Sequence, residues 1–509
     1  MNEKYGWQVY CSTVSVDNSR IAESFIAEVP RSLHANPECV EAKEAELQKL
    51  QLFEAYQEVQ DQGQTCIGTK WVLTYKDNGV KARLVAKGFQ EKEKVPSDSP
   101  TVAKPAMRIL MTLSSTYGWK ICTTDIKSAF LQGKDLERNI FVKPPKEAKS
   151  PPGVVWHLRK TLYGLNDGSR QFYFSVKEFL IGQGCEVSSV DPSMFIFKED
   201  SVLRGIVISH IDDFLHSGDS VFDRKVMEPL RKRFVAGKVE SGHFKYVGLS
   251  ISQSSLGISV DLDGYIDSIS IDRVDVGAFD RALDKEEVSK FRGIVGKLNW
   301  IAQSARADKA FDVIELSTKL RSPMLSDLKQ AVKVFHRVQE HKSTLLFPPL
   351  GQNMVLEVFT DASHANLPDG ISSTMGLVIF LSGDKRMAPI SWRANKIRRV
   401  VSSTLAAEAL ALQEGIDESI YLQRMLSEMS LAVPIHVYVD NRGLVDALHS
   451  TKLVQDRRLR IVIGALKQTM EREINAVKWC PGEHQLADCL TKKGAKGSQL
   501  LHVFQNGLL

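Results

Sequence analysis

Ile208-Ser-His-Ile-Asp-Asp-Phe-Leu-His-Ser-Gly-Asp219 follows a run of strand formers, residues 202–208, interrupted by Arg204 and Gly205. Neighbouring side chains of a strand point to opposite faces. A strand running through Asp212 and Asp213 would therefore turn one carboxylate toward an apolar layer. A hairpin with the pair at its tip removes that conflict, because both carboxylates can turn to one place and share divalent cations. The other reading is an ordinary surface turn, since Asp favours turns and Ser-Gly-Asp follows closely.

Acids recur in comparable places along the chain. Asp125 closes KICTTD and precedes the apolar IKSAFLQG. Asp361 and Asp440 end the strand-like EVFTD and VYVD, Glu408 lies on a helical stretch, SSTLAAEALAL, and Asp488 opens LADCLTK. Asp125, Asp212 and Asp213 supply three carboxylates from two separate elements, and Asp361, Glu408, Asp440 and Asp488 supply four. Two metal ions about 3.5–4 Å apart, held by such carboxylates, catalyse phosphoryl transfer without a histidine or serine nucleophile. Taken singly, each acid is also readable as a helix cap or a solvated residue.

Around these acids the periodicity is mixed. Residues 35–65 read as helix, 71–90 as a hairpin turning at Asp77-Asn78-Gly79, and 222–235 as a charged helix. Short strands near 244–260 and helices from about 285 to 343 follow. FPPLGQN (347–353) reads as a linker, because its prolines and glycine break a helical pattern before a strand begins. Beyond it, strands 354–363, 375–383 and 389–392, a helix over 404–429 and a strand over 434–441 form an α/β layer.

The 509 residues, 43% hydrophobic and 25% charged, suit a folded chain of two to four domains rather than a disordered one. Seven scattered cysteines without a C-x-x-C pair indicate neither a zinc site nor a disulfide framework, and read as reduced, intracellular thiols. The N-terminus has no apolar signal core, and no apolar run approaches the roughly 18 residues needed to span a bilayer, so a soluble protein with no membrane partner is expected. A net charge of +5 is compatible with a polyanionic partner without demonstrating one, and the basic runs at 230–234, 396–399 and 456–460 are equally readable as solvated helix faces.

The ordered string KARLVAKGF (81–89), DIKSAFLQG (125–133), LYGL (162–165), HIDD (210–213), TDAS (360–363), AAE (406–408), VDN (439–441) and QLADCLTK (485–492) resembles the Pol polyprotein of copia-type LTR retrotransposons, over about Ala35 to Lys496. The stretch FRGIVGKLNWIAQSARAD (291–308) looks like that family's connecting segment. The resemblance implies α/β and α+β domains: a right-hand polymerase of fingers, palm and thumb or connection, then an RNase H-like α/β domain. The division it implies is an N-terminal extension (1–34), fingers and palm (35–250), thumb or connection (251–346), linker (347–353), RNase H-like domain (354–497) and tail (498–509).

The same resemblance implies the chemistry. Asp125, Asp212 and Asp213 match the polymerase carboxylates, and Asp361, Glu408, Asp440 and Asp488 the RNase H acids, each set holding two Mg2+ ions, with Mn2+ as a substitute. Lys81 and Arg83 are similar in position to residues that hold the incoming triphosphate, and Phe130 to an aromatic ring lying against the sugar; an exposed hairpin charge and a core aromatic are their alternatives. The implied partners are an RNA template, a DNA primer, an RNA–DNA hybrid and deoxynucleoside triphosphates. The implied location is intracellular and cytoplasmic, within a virus-like particle if the element is active.

Two departures stand out. His210 replaces the usual Tyr, and Asn166-Asp167 replaces the usual Lys-Gln after LYGL, so that Asp167 is expected to repel a triphosphate unless a metal or a lysine screens it. Three readings follow: an RNA- and DNA-directed DNA polymerase with RNase H, a nuclease with a degenerate polymerase site, and an inactive transposon-derived interaction protein. In the second domain, Lys478 stands where a histidine loop is usual, and His484 is the candidate substitute.

Overall fold

The computed structural model describes residues 28–76, 79–272, 279–495 and 497–509. The chain divides into two compact units. One comprises residues up to Asp98 with Phe130–Phe172, the other Ser99–Ala129 with Tyr173–Leu509. Segment 35–250 therefore contributes to both units. Segment 347–353 lies inside the second, where Phe347 pairs with Ile258 and Leu350 is buried.

In the first unit the helix Pro37–Leu52 starts on a proline, whose missing N–H costs nothing there. The expected helix over 35–65 stops short: Glu54 takes a left-handed φ of 49°, and Tyr56–Gln60 is a strand paired with Val154–Leu158. The Tyr56 ring stacks on the buried Trp156 with centroids 3.7 Å apart, and that packing overrides helical propensity. Strands Thr69–Lys76 and Gly79–Ala86 pair as the expected hairpin; the turn residues Asp77 and Asn78 lie outside the described residues. Two motif glycines meet here. A Cβ on Gly88 of KARLVAKGF would collide with the Gly164 carbonyl, and one on Gly164 of LYGL with the Ala86 carbonyl. Two backbones approach as closely as they do because both residues lack side chains.

The second unit holds an antiparallel sheet ordered Ala236–Ser241, Lys120–Ile126, Asp213–Gly218, Val202–His210, Met194–Glu199, Cys185–Val187. It also holds a mixed sheet ordered Arg386–Lys396, Thr374–Gly383, Val355–Ser363, Ile435–Val439, Ala476–Trp479, the last three strands parallel. The helix Thr404–Glu428 seats on this second sheet at Gly415, where a Cβ would strike Thr360. Among the described residues no helix is long and apolar enough to cross a membrane.

One cation joins the two sheets' surroundings. Arg108, on the buried helix Lys104–Tyr117, lays its guanidinium 3.5 Å from the Trp392 ring centroid and donates to the carbonyls of Ile390 at 3.1 Å and Gln303 at 2.7 Å. The Trp392 indole in turn donates to Ala302 at 2.9 Å. One turn earlier, the Lys104 ammonium lies 4.5 Å over Trp300 and 3.2 Å from Ser304 Oγ. Burial, then the nearby Arg108 charge, push Lys104 down to about 7.

Arg108→Met leaves two carbonyls without their donor and Trp392 without its cation, and is expected to lower the unfolding free energy by about 3 kcal/mol in urea titration; a loss under about 1 kcal/mol would contradict the seam's role. For Lys104, the unfolded chain binds the extra proton between pH 7 and its free value of 10.5. Stability should therefore rise with pH across that window, by on the order of 2 kcal/mol allowing for partial exposure, with the penalty fully present below pH 7. Lys104→Met should flatten that slope, which paired thermal melts at several pH values would read.

Candidate active sites

Val202–His210 and Asp213–Gly218 form a hairpin whose loop is Ile211 and Asp212. Ile211 has φ +60°, a conformation that a β-branched residue adopts only when its surroundings impose it. The acid pair thus sits at a hairpin tip. Asp213 lies directly opposite Asp125 in the antiparallel register, so their side chains share one face of the sheet. The Asp212 carbonyl accepts from Ile126 N–H at 3.0 Å, fixing the turn against the strand Lys120–Ile126 that carries Asp125. On the other side of that strand, a Cβ at Gly237 would collide with the Asp125 carboxylate.

Burial, then the charges of Asp212 and Asp125, push Asp213 up to about 7. A site that resists the ionisation of its own carboxylate is one that a cation stabilises. His210 pairs with Asp213 and bridges to Thr101, and its buried Nδ1 has no hydrogen-bond partner. Burial holds it below the usual histidine range. Sequence reading did not find Tyr246, a buried phenol without a hydrogen-bond partner, pushed well up by burial and then by Asp213.

Within the first unit, Lys81 stands opposite Thr74 and Arg83 opposite Val72 on the 69–86 hairpin. The Arg83 guanidinium lies 5.5 Å from the Tyr163 ring, and Tyr163 meets Phe130 edge-on at 5.0 Å. Tyr163 of LYGL, unassigned from sequence, therefore joins two residues named separately there. Asp167 corrects its expectation. It is 3% exposed and held by Arg138, which donates from Nη2 to Oδ1 at 2.5 Å and from Nε to Oδ2 at 3.2 Å, while Nη1 reaches Glu91 at 2.6 Å. Asn166 joins the same group, its N–H donating to Glu91 at 3.0 Å. The carboxylate is already neutralised by a forked partner, so it presents no bare charge to a phosphate.

The second acidic site is built on parallel strand ends. Thr360 pairs with Val439, so Asp361 and Asp440 follow side by side at the C-terminal edges of Val355–Ser363 and Ile435–Val439, the edge where open α/β sheets carry ligands. Among the described residues, Asp361, Asp440 and Asp488 bring one oxygen each within 4.8 Å of one another. Glu408, 4% exposed on the helix Thr404–Glu428, has a buried Oε2 with no hydrogen-bond partner. Burial, then Asp361 and Asp440, push Glu408 up to about 9, and burial raises Asp361 to about 6 despite Lys492 and a hydrogen bond from Thr491. Buried acids with an unfilled oxygen among them suit a multivalent cation.

Lys492 was missed in the sequence although it stands four residues after Asp488, a spacing that makes helical neighbours. Its Nζ donates to Asp488 and lies 3.4 Å from Asp361 Oδ1. Lys478 rests 5.8 Å from the Tyr438 ring, and His484 is exposed beside Glu483.

Residues 53–279 match the family described as reverse transcriptase (RNA-dependent DNA polymerase). The Retrovirus-related Pol polyprotein from transposon RE1 of Arabidopsis thaliana is 26% identical over 464 residues, covering 84% of this chain and 31% of that protein. Its counterpart from transposon TNT 1-94 of Nicotiana tabacum is 26% identical over 497 residues, covering 89% and 36%. The chain thus spans about a third of the length of these curated relatives. Among solved structures, the foamy viral protease-reverse transcriptase in complex with RNA/DNA hybrid has a similar fold, with a TM-score of 0.53 at 12% identity, over 91% of this chain and 56% of that one.

Asp167→Gln leaves the half-enclosed Arg138 with one acidic partner instead of two. It is expected to cost about 2 kcal/mol of stability and to give no gain in nucleotide use, read by denaturation beside steady-state kinetics. A variant that folds as well as the parent and uses nucleotides better would restore the repulsion argument.

Proposed function

We propose that this chain, which matches the reverse transcriptase family over residues 53–279 and is 26% identical to retrotransposon Pol polyproteins, is an RNA- and DNA-directed DNA polymerase joined to a ribonuclease H. The observation that carries the polymerase half is the register: Asp213 opposite Asp125, with Asp212 at the adjoining tip. In this reading Asp125, Asp212 and Asp213 hold two Mg2+ ions, with Mn2+ as a substitute. Bound there, the metal supplies Lewis acidity to the attacking primer hydroxyl and positive charge to the leaving pyrophosphate. Lys81 and Arg83 receive the triphosphate, and Phe130, backed by Tyr163, lies against the deoxyribose and leaves no room for a 2′-hydroxyl. Template RNA, primer DNA and deoxynucleoside triphosphates are the substrates.

For the nuclease half, Asp361, Glu408, Asp440 and Asp488 are the metal-holding acids, and the unsatisfied buried Oε2 of Glu408 supports that assignment. The nucleophile is water and the substrate is the RNA strand of an RNA–DNA hybrid. Residues 354–497 are the RNase H-like domain, and the site of action is intracellular, in the cytoplasm or a particle within it. The reading of a nuclease with a degenerate polymerase rests on Asp167 and His210. Arg138 removes the electrostatic ground for the first, and burial holds His210, opposite Asp213 in the hairpin, below the usual histidine range.

Two substitutions separate the activities. Asp212→Asn should reduce primer extension on poly(rA)/oligo(dT) by about a thousandfold or more and leave hybrid cleavage within about twofold, and Asp361→Asn should do the reverse. Loss of both activities in either folded variant would overturn the assignment of two separate sites.

A further inference from the structure

The second acidic cluster already contains a positive charge. Lys492 Nζ donates to Asp488 Oδ1 and lies 3.4 Å from Asp361 Oδ1, the oxygens of a group whose members approach within 4.8 Å. The two ends of this ion pair differ in access. The Asp361 side chain is 1% exposed, whereas that of Lys492 is 40% exposed. Asp361 therefore has nowhere to go, and Lys492, a point charge on a flexible four-carbon stem, has an open path to water. The lysine also leaves demand unmet, because Glu408, close enough to feel the charges of Asp361 and Asp440, keeps a buried Oε2 with no hydrogen-bond partner. One monovalent charge is set against four acids.

Resting on the reading of this cluster as a metal site, we propose that Lys492 is a tethered counter-cation: its ammonium stands in for metal among Asp361, Asp440 and Asp488, and swings to solvent when a divalent ion enters. Two cations cannot both claim the Asp361 and Asp488 oxygens, since a metal at bonding distance takes the lone pairs that the ammonium uses and repels it at close range. The side chain thereby sets two properties at once. It keeps buried acids from standing uncompensated in the metal-free protein, and it raises the metal concentration at which the site loads.

The test uses the full chain and Mn2+ as the probe. Calorimetric titration of the wild type against Asp361→Asn isolates the binding that belongs to this cluster. Lys492→Met and Lys492→Gln, the second keeping a hydrogen-bond donor without charge, should bind Mn2+ there about tenfold more tightly than wild type. Both should also melt at a lower temperature in chelator and recover toward the wild-type midpoint in saturating Mn2+. Equal or weaker Mn2+ binding in both neutral variants, with the Asp361-dependent site still present, overturns the counter-cation role alone. If Asp361→Asn removes no Mn2+ binding from the wild type, the metal-site reading falls and the proposal with it.

Discussion

Both sites turn on one electrostatic constraint: carboxylates are held together, away from bulk water, by backbone register rather than by mutual attraction. Antiparallel pairing sets Asp213 opposite Asp125, and parallel pairing sets Asp361 next to Asp440. Neither arrangement is favourable on its own terms, since burial and like charge both oppose ionisation. The sheets supply the free energy, through ladders of hydrogen bonds and apolar cores that continue away from the acids. Phe214, Leu215, Ile208 and Val207 are fully buried behind the first pair, and Val358, Val437 and Val439 behind the second. The cost appears as strain and as shifted titration. Ile211 adopts a conformation that its side chain disfavours, and Asp213 and Glu408 are held back from ionising.

Much of this is written in the chain. Acids at the ends of short apolar runs identify strand edges, and the ISHIDDFLHSGD stretch reads as a hairpin tip because no straight strand tolerates adjacent buried aspartates. What is missing from the sequence is long-range pairing. Arg138 lies 29 residues from Asp167 and 47 from Glu91, and nothing local marks them as one group. A carboxylate in an unusual place therefore looks like a defect when read alone, and like half of a salt bridge in the fold. The same holds for Gly88 and Gly164, two motif glycines whose common purpose is visible only where their backbones touch.

The end of the first helix carries the same lesson at shorter range. Residues 53–65 have helical composition, yet the stacking of Tyr56 on Trp156, a hundred residues away, makes a strand of Tyr56–Gln60. Lys492 is the opposite case: its i, i+4 relation to Asp488 was legible, but a lysine beside an acid on a helix is so ordinary a surface pair that only the burial of Asp361 distinguishes it.

Arg108 has a bearing on how such a chain ages. The helix that carries it packs under the sheet of Asp125 and Asp213, while its guanidinium is bonded to Ile390 and stacked on Trp392, within the strand Arg386–Lys396 of the sheet that carries Asp361. A lineage in which the Asp125 site fell out of use would still need that helix to keep the other sheet's edge strand folded. On the proposed assignment, selection on the Asp361 site alone would therefore preserve the hydrophobic and cationic framework beneath Asp125 and Asp213 long after those acids had become free to vary. Decay in such a chain should first appear at the chemistry and only last at the scaffold.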